Sequence, residues 1–188
     1  MAVAGQVEHA QAVARLDAHC TELNAGPGSD KLFMGNEPEL GTPWAYNWAG
    51  APHRTQKLVR DVWLQLFGTA PGSYPGNDDG GALSSWLVFS ALGLYPEIPG
   101  VAGFTLGSPL FPQARLRLWS GRTVNIVGHG ASASAPFVQA LKVNGRPWDG
   151  TWLPFSELQV GGQVDFWLGT QPNLAWGHDT SLAPPSFP

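Results

Sequence analysis

Two acidic runs stand out in a chain that is otherwise poor in charge: Gly35-Asn36-Glu37-Pro38 and Gly76-Asn77-Asp78-Asp79-Gly80-Gly81. Pro38 biases Glu37 toward an extended backbone, which sets its carboxylate in a loop of restricted geometry. Asn36 and Glu37 carry the oxygen donors that a hard cation such as calcium prefers, or that sugar hydroxyls can bond. The plain alternative is a turn between helices. In the second run, neighbouring carboxylates repel unless a cation, a helix N-terminus or a substrate proton offsets them. Asp79 is placed to cap the helix that follows, a role worth about 1 kcal/mol. The same place suits a general base, because the positive helix end keeps the carboxylate ionised and the flanking glycines let a substrate come close. Between the runs lie Trp44, Tyr46 and Trp48, then His53 and Arg54. Sugar rings stack on indole faces through their C–H surfaces, so Trp44 or Trp48 is a candidate wall of a glycan pocket; the ordinary alternative is that such rings fill the core. The histidines His19, His53, His129 and His178 show no metal-ligand spacing, and no nucleophile elbow, phosphate loop or dinucleotide fingerprint is present.

The elements that must position these residues fall into two kinds. Gln6 to Cys20 has apolar residues at helical spacing, including Ala10, Val13 and Leu16, and stops at the breakers Asn24-Ala25-Gly26-Pro27-Gly28. Pro52 opens a second helix, in which Leu58, Val59, Val62, Trp63, Leu66 and Phe67 share one face before Gly68. A third follows Asp79, with Leu83, Trp86, Leu87, Ala91 and Leu94 in one stripe and apolar residues nearly all round. After Pro96 the pattern turns to short alternating runs, among them Arg115–Trp119, Val124–Val127, Phe137–Val143 and Val164–Leu168, as in an antiparallel sheet with one solvated face. Asn144-Gly145 predicts a hairpin turn leading to the segment around Trp152. The expected fold class is α+β, with a helical segment over residues 1–98, an antiparallel β subdomain over 99–179 and a disordered tail over 180–188.

The 188 residues include 24 Gly, 17 Pro and nine Trp, with 43% hydrophobic and 13% charged residues, a balance that collapses into a turn-rich globule rather than a disordered chain. A net charge of −4, with ten Lys and Arg and no run of them, leaves no footprint for a nucleic-acid backbone. The longest apolar stretch, Leu83 to Tyr95, is shorter than the roughly 20 residues of a membrane-spanning helix. Cys20 is alone, which excludes an internal disulfide. The start of the chain lacks the basic and apolar regions of a signal peptide.

Taken in order, Met34-Gly-Asn-Glu-Pro38, Pro43-Trp-Ala-Tyr-Asn-Trp-Ala-Gly50, Arg54-Thr-Gln56, Gly76-Asn-Asp-Asp79 and Ser85-Trp-Leu-Val-Phe-Ser-Ala-Leu-Gly-Leu-Tyr-Pro96 resemble glycoside hydrolase family 92. So do Gly107-Ser-Pro-Leu-Phe111, Val143-Asn-Gly145, Gly161-Gly162, Pro172-Asn173 and Trp176-Gly177, so the resemblance covers nearly the whole chain. It implies a calcium-dependent, inverting exo-α-mannosidase acting on mannose-containing glycans, with this stretch forming the last part of an (α/α)6-type catalytic barrel and its β region. By motif match, Asp79 is the general base, Asp78 and Asn77 orient it or the water, and Asn36 and Glu37 lie on the loop that helps hold calcium and the terminal mannose. The family commonly has a His shortly after this loop, whereas the present chain continues Glu39-Leu40-Gly41-Thr42. The resemblance puts the general acid upstream of the residues present here. The chain is therefore expected to be the C-terminal portion of a larger enzyme, partnered by the missing N-terminal part and inactive alone. A non-catalytic carbohydrate-binding or interaction remnant is the alternative. Relatives act on external glycans, which implies an extracellular or periplasmic parent. Helices lacking their barrel neighbours are expected to expose Trp63, Leu66, Trp86 or Phe89.

Overall fold

The computed structural model describes residues 2–186. Three α-helices form as the periodicity predicts: α1 (Ala2–His19), α2 (Pro52–Leu66) and α3 (Ala82–Leu92). Pro52 sits in the first turn of α2, where its missing N–H costs nothing. Gly93 ends α3 in the left-handed conformation, and its N–H bonds back to the last turn of the helix. Between α1 and α2 the chain makes two 3-10 segments, Glu37–Glu39 and Thr42–Asn47. Leu32, Met34, Leu40, Trp44, Tyr46, Leu58, Val59, Val62, Leu83 and Trp86 bury together as the core of this helical half.

The expectation that Trp86 would be exposed is corrected by that core. Trp86 is 0% exposed. It stacks on Phe67 with centroids 5.8 Å apart, and its indole N–H donates to the Leu40 carbonyl at 3.0 Å. Trp63, Leu66 and Phe89 are half-buried, while Leu64 and Val88 are the large apolar side chains of α2 and α3 left in solvent.

The β half holds two sheets. In the smaller, β1 (Leu94–Tyr95), β2 (Gly103–Leu106) and β7 (Trp152–Pro154) pair in the order β1-β2-β7, all antiparallel. The larger has the order β3-β4-β8-β5-β6, built from β3 (Gln113–Arg117), β4 (Thr123–His129), β5 (Phe137–Val143), β6 (Arg146–Pro147) and β8 (Gly162–Gly169). Its pairings are antiparallel except β4 with β8, which run parallel with Ile126 opposite Val164. The Asn144-Gly145 turn forms with positive φ at both residues, as a tight hairpin requires. It returns into β6; the Trp152 segment crosses instead to the smaller sheet, where Leu153 faces Phe104. The inward positions Val124, Ile126, Val138, Leu141, Val143, Val164 and Phe166 make the second core.

Buried polar side chains join the two halves. The Asn47 amide donates to Thr105 Oγ1 at 2.7 Å and to the Leu106 carbonyl at 2.9 Å. Gln56 Oε1 accepts from the Val138 N–H at 3.0 Å. Arg60 extends from α2 to donate to the carbonyls of Pro109, at 3.0 Å, and Ser132. Each of these groups would be costly to bury unpaired, so the pairs fix the seam between helices and sheets.

The tail expected to be disordered is ordered at its start. Asp179 caps a 3-10 turn at Thr180–Leu182 through the Ser181 N–H, at 2.9 Å, and the Leu182 carbonyl accepts from the Thr151 N–H at 3.2 Å. The cap and this β contact supply the order that composition does not signal; residues 187 and 188 lie outside the described residues.

Candidate active site

The two acidic loops meet backbone against backbone. A Cβ on Gly35 would strike the Pro75 carbonyl, and one on Gly76 would strike the backbone of Gly35. Only paired glycines allow this approach. Asn24 straps the crossing from one side: its amide donates to the Pro75 carbonyl at 2.8 Å, and its Oδ1 accepts from the Gly35 N–H at 2.9 Å. The breaker cluster that stops the first helical run thus also supplies the strap, a role the sequence reading assigned to no residue. The crossing sets Asn36 and Glu37 on one loop beside Asn77, Asp78 and Asp79 on the other, all five solvent-exposed.

Helix capping belongs to Asp78, not to Asp79 as the spacing suggested. Asp78 Oδ1 accepts from the Ser84 N–H at 2.8 Å and Oδ2 from the Ser84 hydroxyl at 2.9 Å. The reason is backbone geometry. Asp79, Gly80 and Gly81 all have positive φ, at 45°, 69° and 100°, and this left-handed run leaves Asp78 to reach the first turn of α3. Asp79 is one of two non-glycine residues with positive φ among the described residues, and its carboxylate has no protein hydrogen-bond partner among them. A strained, exposed carboxylate with free lone pairs near a helix N-terminus is suited to accept a proton.

Trp44 is not a sugar wall. It is 0% exposed, stacked on Tyr95 with centroids 5.1 Å apart and planes 7° apart, and packed edge-on against Trp86. The core alternative holds for this ring because it is wholly buried, with Tyr95 stacked on it. Trp48 is half-buried and lines neither of the hollows at the acidic loops.

Asn36 and Glu37 open onto different hollows. Asn36 borders one of about 230 Å3 shared with Lys31 and Glu39, and Glu37 borders one of about 330 Å3 shared with Tyr95 and Glu97. Glu39 is engaged elsewhere, by His19 at 3.1 Å and the Thr42 hydroxyl at 3.0 Å. The donors suit calcium chemically, but two side chains supply fewer than its six to eight oxygens, and the described residues hold no group of three or more His, Cys, Asp or Glu that could bind a metal. Among the described residues, Asn36 and Glu37 would need further oxygens from elsewhere to complete a calcium shell.

Sequence reasoning missed Glu97. Burial pushes its carboxyl from an ordinary 4.5 up to about 7. The Tyr95 hydroxyl beside it is pushed up to about 12, by burial and then by the charges of Glu97 and Glu37. Pro96 and Pro99 flank the Glu97-Ile98 pair, so a carboxylate set against proline, the signal used for Glu37, was present here too. A separate polar cluster lies against α1, where Asp17 accepts from Arg54 at 2.7 Å and from the Tyr46 hydroxyl at 3.0 Å. Burial pushes the neighbouring Cys20 thiol up to about 11, which keeps it protonated and unreactive.

With this geometry in view, the comparisons with known proteins are consistent. The model of the glycosyl hydrolase family 92 catalytic domain matches residues 4–170. A protein described as an uncharacterized secreted glycosidase from Arthroderma benhamiae is 28% identical over 162 residues, which is 85% of this chain and 21% of that protein. The family GH92 alpha-mannosidase BT3965 from Bacteroides thetaiotaomicron superposes with a TM-score of 0.86 at 28% identity, covering 93% of this chain and 23% of its own. The family GH92 inverting mannosidase BT2199 from the same organism superposes at 0.82 and 28% identity, covering 94% of this chain and 26% of its own. The chain thus spans about a fifth to a quarter of the length of these relatives.

Proposed function

Because the chain belongs to glycosyl hydrolase family 92, we propose that it carries the general-base side of the catalytic centre of an exo-acting α-mannosidase that cleaves terminal α-mannosides of glycans with inversion. The observation that carries this reading is the division of labour between adjacent carboxylates: Asp78 is spent on Ser84, and Asp79 is left exposed and unpaired at the glycine-lined crossing. Asp79 takes a proton from a water whose oxygen attacks the anomeric carbon. A carboxylic acid from polypeptide outside this chain protonates the leaving oxygen, across a separation of about 6.5–9.5 Å that leaves room for the water. The water's components end on the two sides of the broken bond, and mannose leaves as the β-anomer.

Asn77, exposed beside the base, orients the water or a sugar hydroxyl, and Trp48 remains the candidate ring for a sugar contact. Calcium, when bound, would polarise sugar hydroxyls and favour ring distortion. Asn36 and Glu37 would give it two oxygens, the rest coming from substrate, water and polypeptide outside this chain. The parent acts on external glycans, a reading supported by the secreted fungal relative. Among the described residues no helix is long and apolar enough to cross a membrane.

The test is a chimaera in which residues 4–170 replace the matching segment of a solved relative. It is expected to release β-mannose from an α-mannoside, seen by proton NMR before mutarotation. Asp79→Asn is expected to lower kcat by at least about a hundredfold. Near-wild-type turnover in that variant overturns the assignment.

A further inference from the structure

We propose that the cavity between the Glu37 loop and α3 is a sugar subsite and that the Glu97 carboxylate is its hydroxyl acceptor. This rests on the mannoside reading above and adds a residue to it. The cavity, of about 330 Å3, lies at the size where small-molecule sites begin and admits one pyranose ring. Its walls carry the mixed chemistry that a sugar demands. Glu37 and Glu97 offer carboxylate oxygens, Tyr95 and Ser85 offer hydroxyls, and Phe89 offers a half-buried aromatic ring.

What points to a ligand is that these polar groups are left unengaged within the chain. Among the described residues, neither the Glu97 carboxylate nor the Tyr95 hydroxyl has a hydrogen-bond partner, although both groups are half-buried. A half-buried carboxyl without a protein partner gives up part of its hydration, and a ligand that supplies donors restores it. Two vicinal sugar hydroxyls do that, one to each carboxylate oxygen. The backbone makes room for the group: Gly41, held at helical φ and ψ, has no side chain, and a Cβ there would run into the Glu97 carboxylate. Glu39, the remaining acidic residue of this loop, is tied to His19 and Thr42, so it does not compete for the ligand.

The experiment is titration calorimetry of the chain with methyl α-D-mannopyranoside in calcium-containing buffer, for the wild type, Glu97→Gln and Gly41→Ala. Wild type is expected to bind, and Glu97→Gln to weaken binding about tenfold or more without lowering the melting temperature, because the amide loses the charge-assisted bonds but relieves a buried carboxyl. Gly41→Ala keeps the charge, displaces the carboxylate and is expected to weaken binding as well. Helical backbone at Gly41 suits Ala and the obstacle is the far end of a flexible side chain, so its melting temperature is expected to stay close to wild type and is measured beside its affinity. Unchanged affinity in both variants overturns the proposal. Absence of binding by the wild-type chain overturns it too. The broader reading is judged separately: if the chimaera hydrolyses mannosides while either of these results is found, the subsite fails and the mannosidase stands.

Discussion

Gly35 and Gly76 cross so closely that a Cβ on Gly76 would stand 2.6 Å from the Gly35 Cα, a distance side-chain carbons do not tolerate. The obstacle is backbone, which cannot swing aside as a side chain can. The crossing brings together two acidic loops separated by some forty residues of sequence.

Gly76→Ala is therefore expected to destabilise the chain by about 1–3 kcal/mol, the usual cost of overpacking. It should also lower kcat in the chimaera at temperatures where the protein is fully folded. Urea midpoints and initial rates measured side by side check both halves; a variant with unaltered stability shows that the loops have room to part.

Asp78 and Asp79 should separate cleanly in stability. Asp78→Ala loses the bonds to Ser84 and is expected to cost about 1 kcal/mol. Asp79→Gly relaxes a residue held at φ 45° and is expected to stabilise by up to about 1 kcal/mol while abolishing turnover. Thermal melts paired with mannoside assays decide this, and a destabilised Asp79→Gly contradicts it.

Glu97 predicts a pH dependence with a definite sign. Its folded-state carboxyl titrates near about 7 against an ordinary 4.5, so between those values the folded chain binds more protons than the unfolded one. Stability contributed by this group is then full below the lower value, falls as pH rises through the upper one, and is flat beyond it. Glu97→Gln should remove that fall. Urea midpoints from about pH 4 to about pH 8 test it, and parallel curves for the two proteins refute it.

Gln56→Ala should cost about 1–3 kcal/mol, because it leaves the buried Val138 N–H without an acceptor. Gln56→Glu keeps the acceptor oxygen, although it buries a charge. Unfolding of either variant is expected to remain a single transition by both tryptophan fluorescence and circular dichroism, since Asn47 and Arg60 still join the cores.

The three helices were legible because each has a periodic apolar face and a local stop signal, and local signals are what a sequence displays. The acidic loops were legible for a related reason: carboxylates set among glycines and proline stand out in a chain with little charge. The strap at Asn24 and the acceptor at Glu97 were not, because each acts on a segment more than 50 residues away, or against a loop that only the fold brings near. Trp44 shows the converse error. Its spacing fits a pocket wall as well as a core position, and the stacking of Tyr95, from another element, decides between them. The residues Asn47, Gln56 and Arg60 stand in or just after the runs that carry the family resemblance, yet the structure gives them the seam between the halves.

The parallel pairing of β4 with β8 bears on biosynthesis. β8 lies in the middle of the larger sheet although it comes after the sheet's other described strands in chain order, so β4 and β5 each leave the ribosome with an unzipped edge and wait for it. Until Gly162–Gly169 emerges, nascent chains on one polysome can pair with each other through those edges. A ribosomal stall before this segment has emerged would leave both edges open, whereas a chain that has released it can seal the sheet.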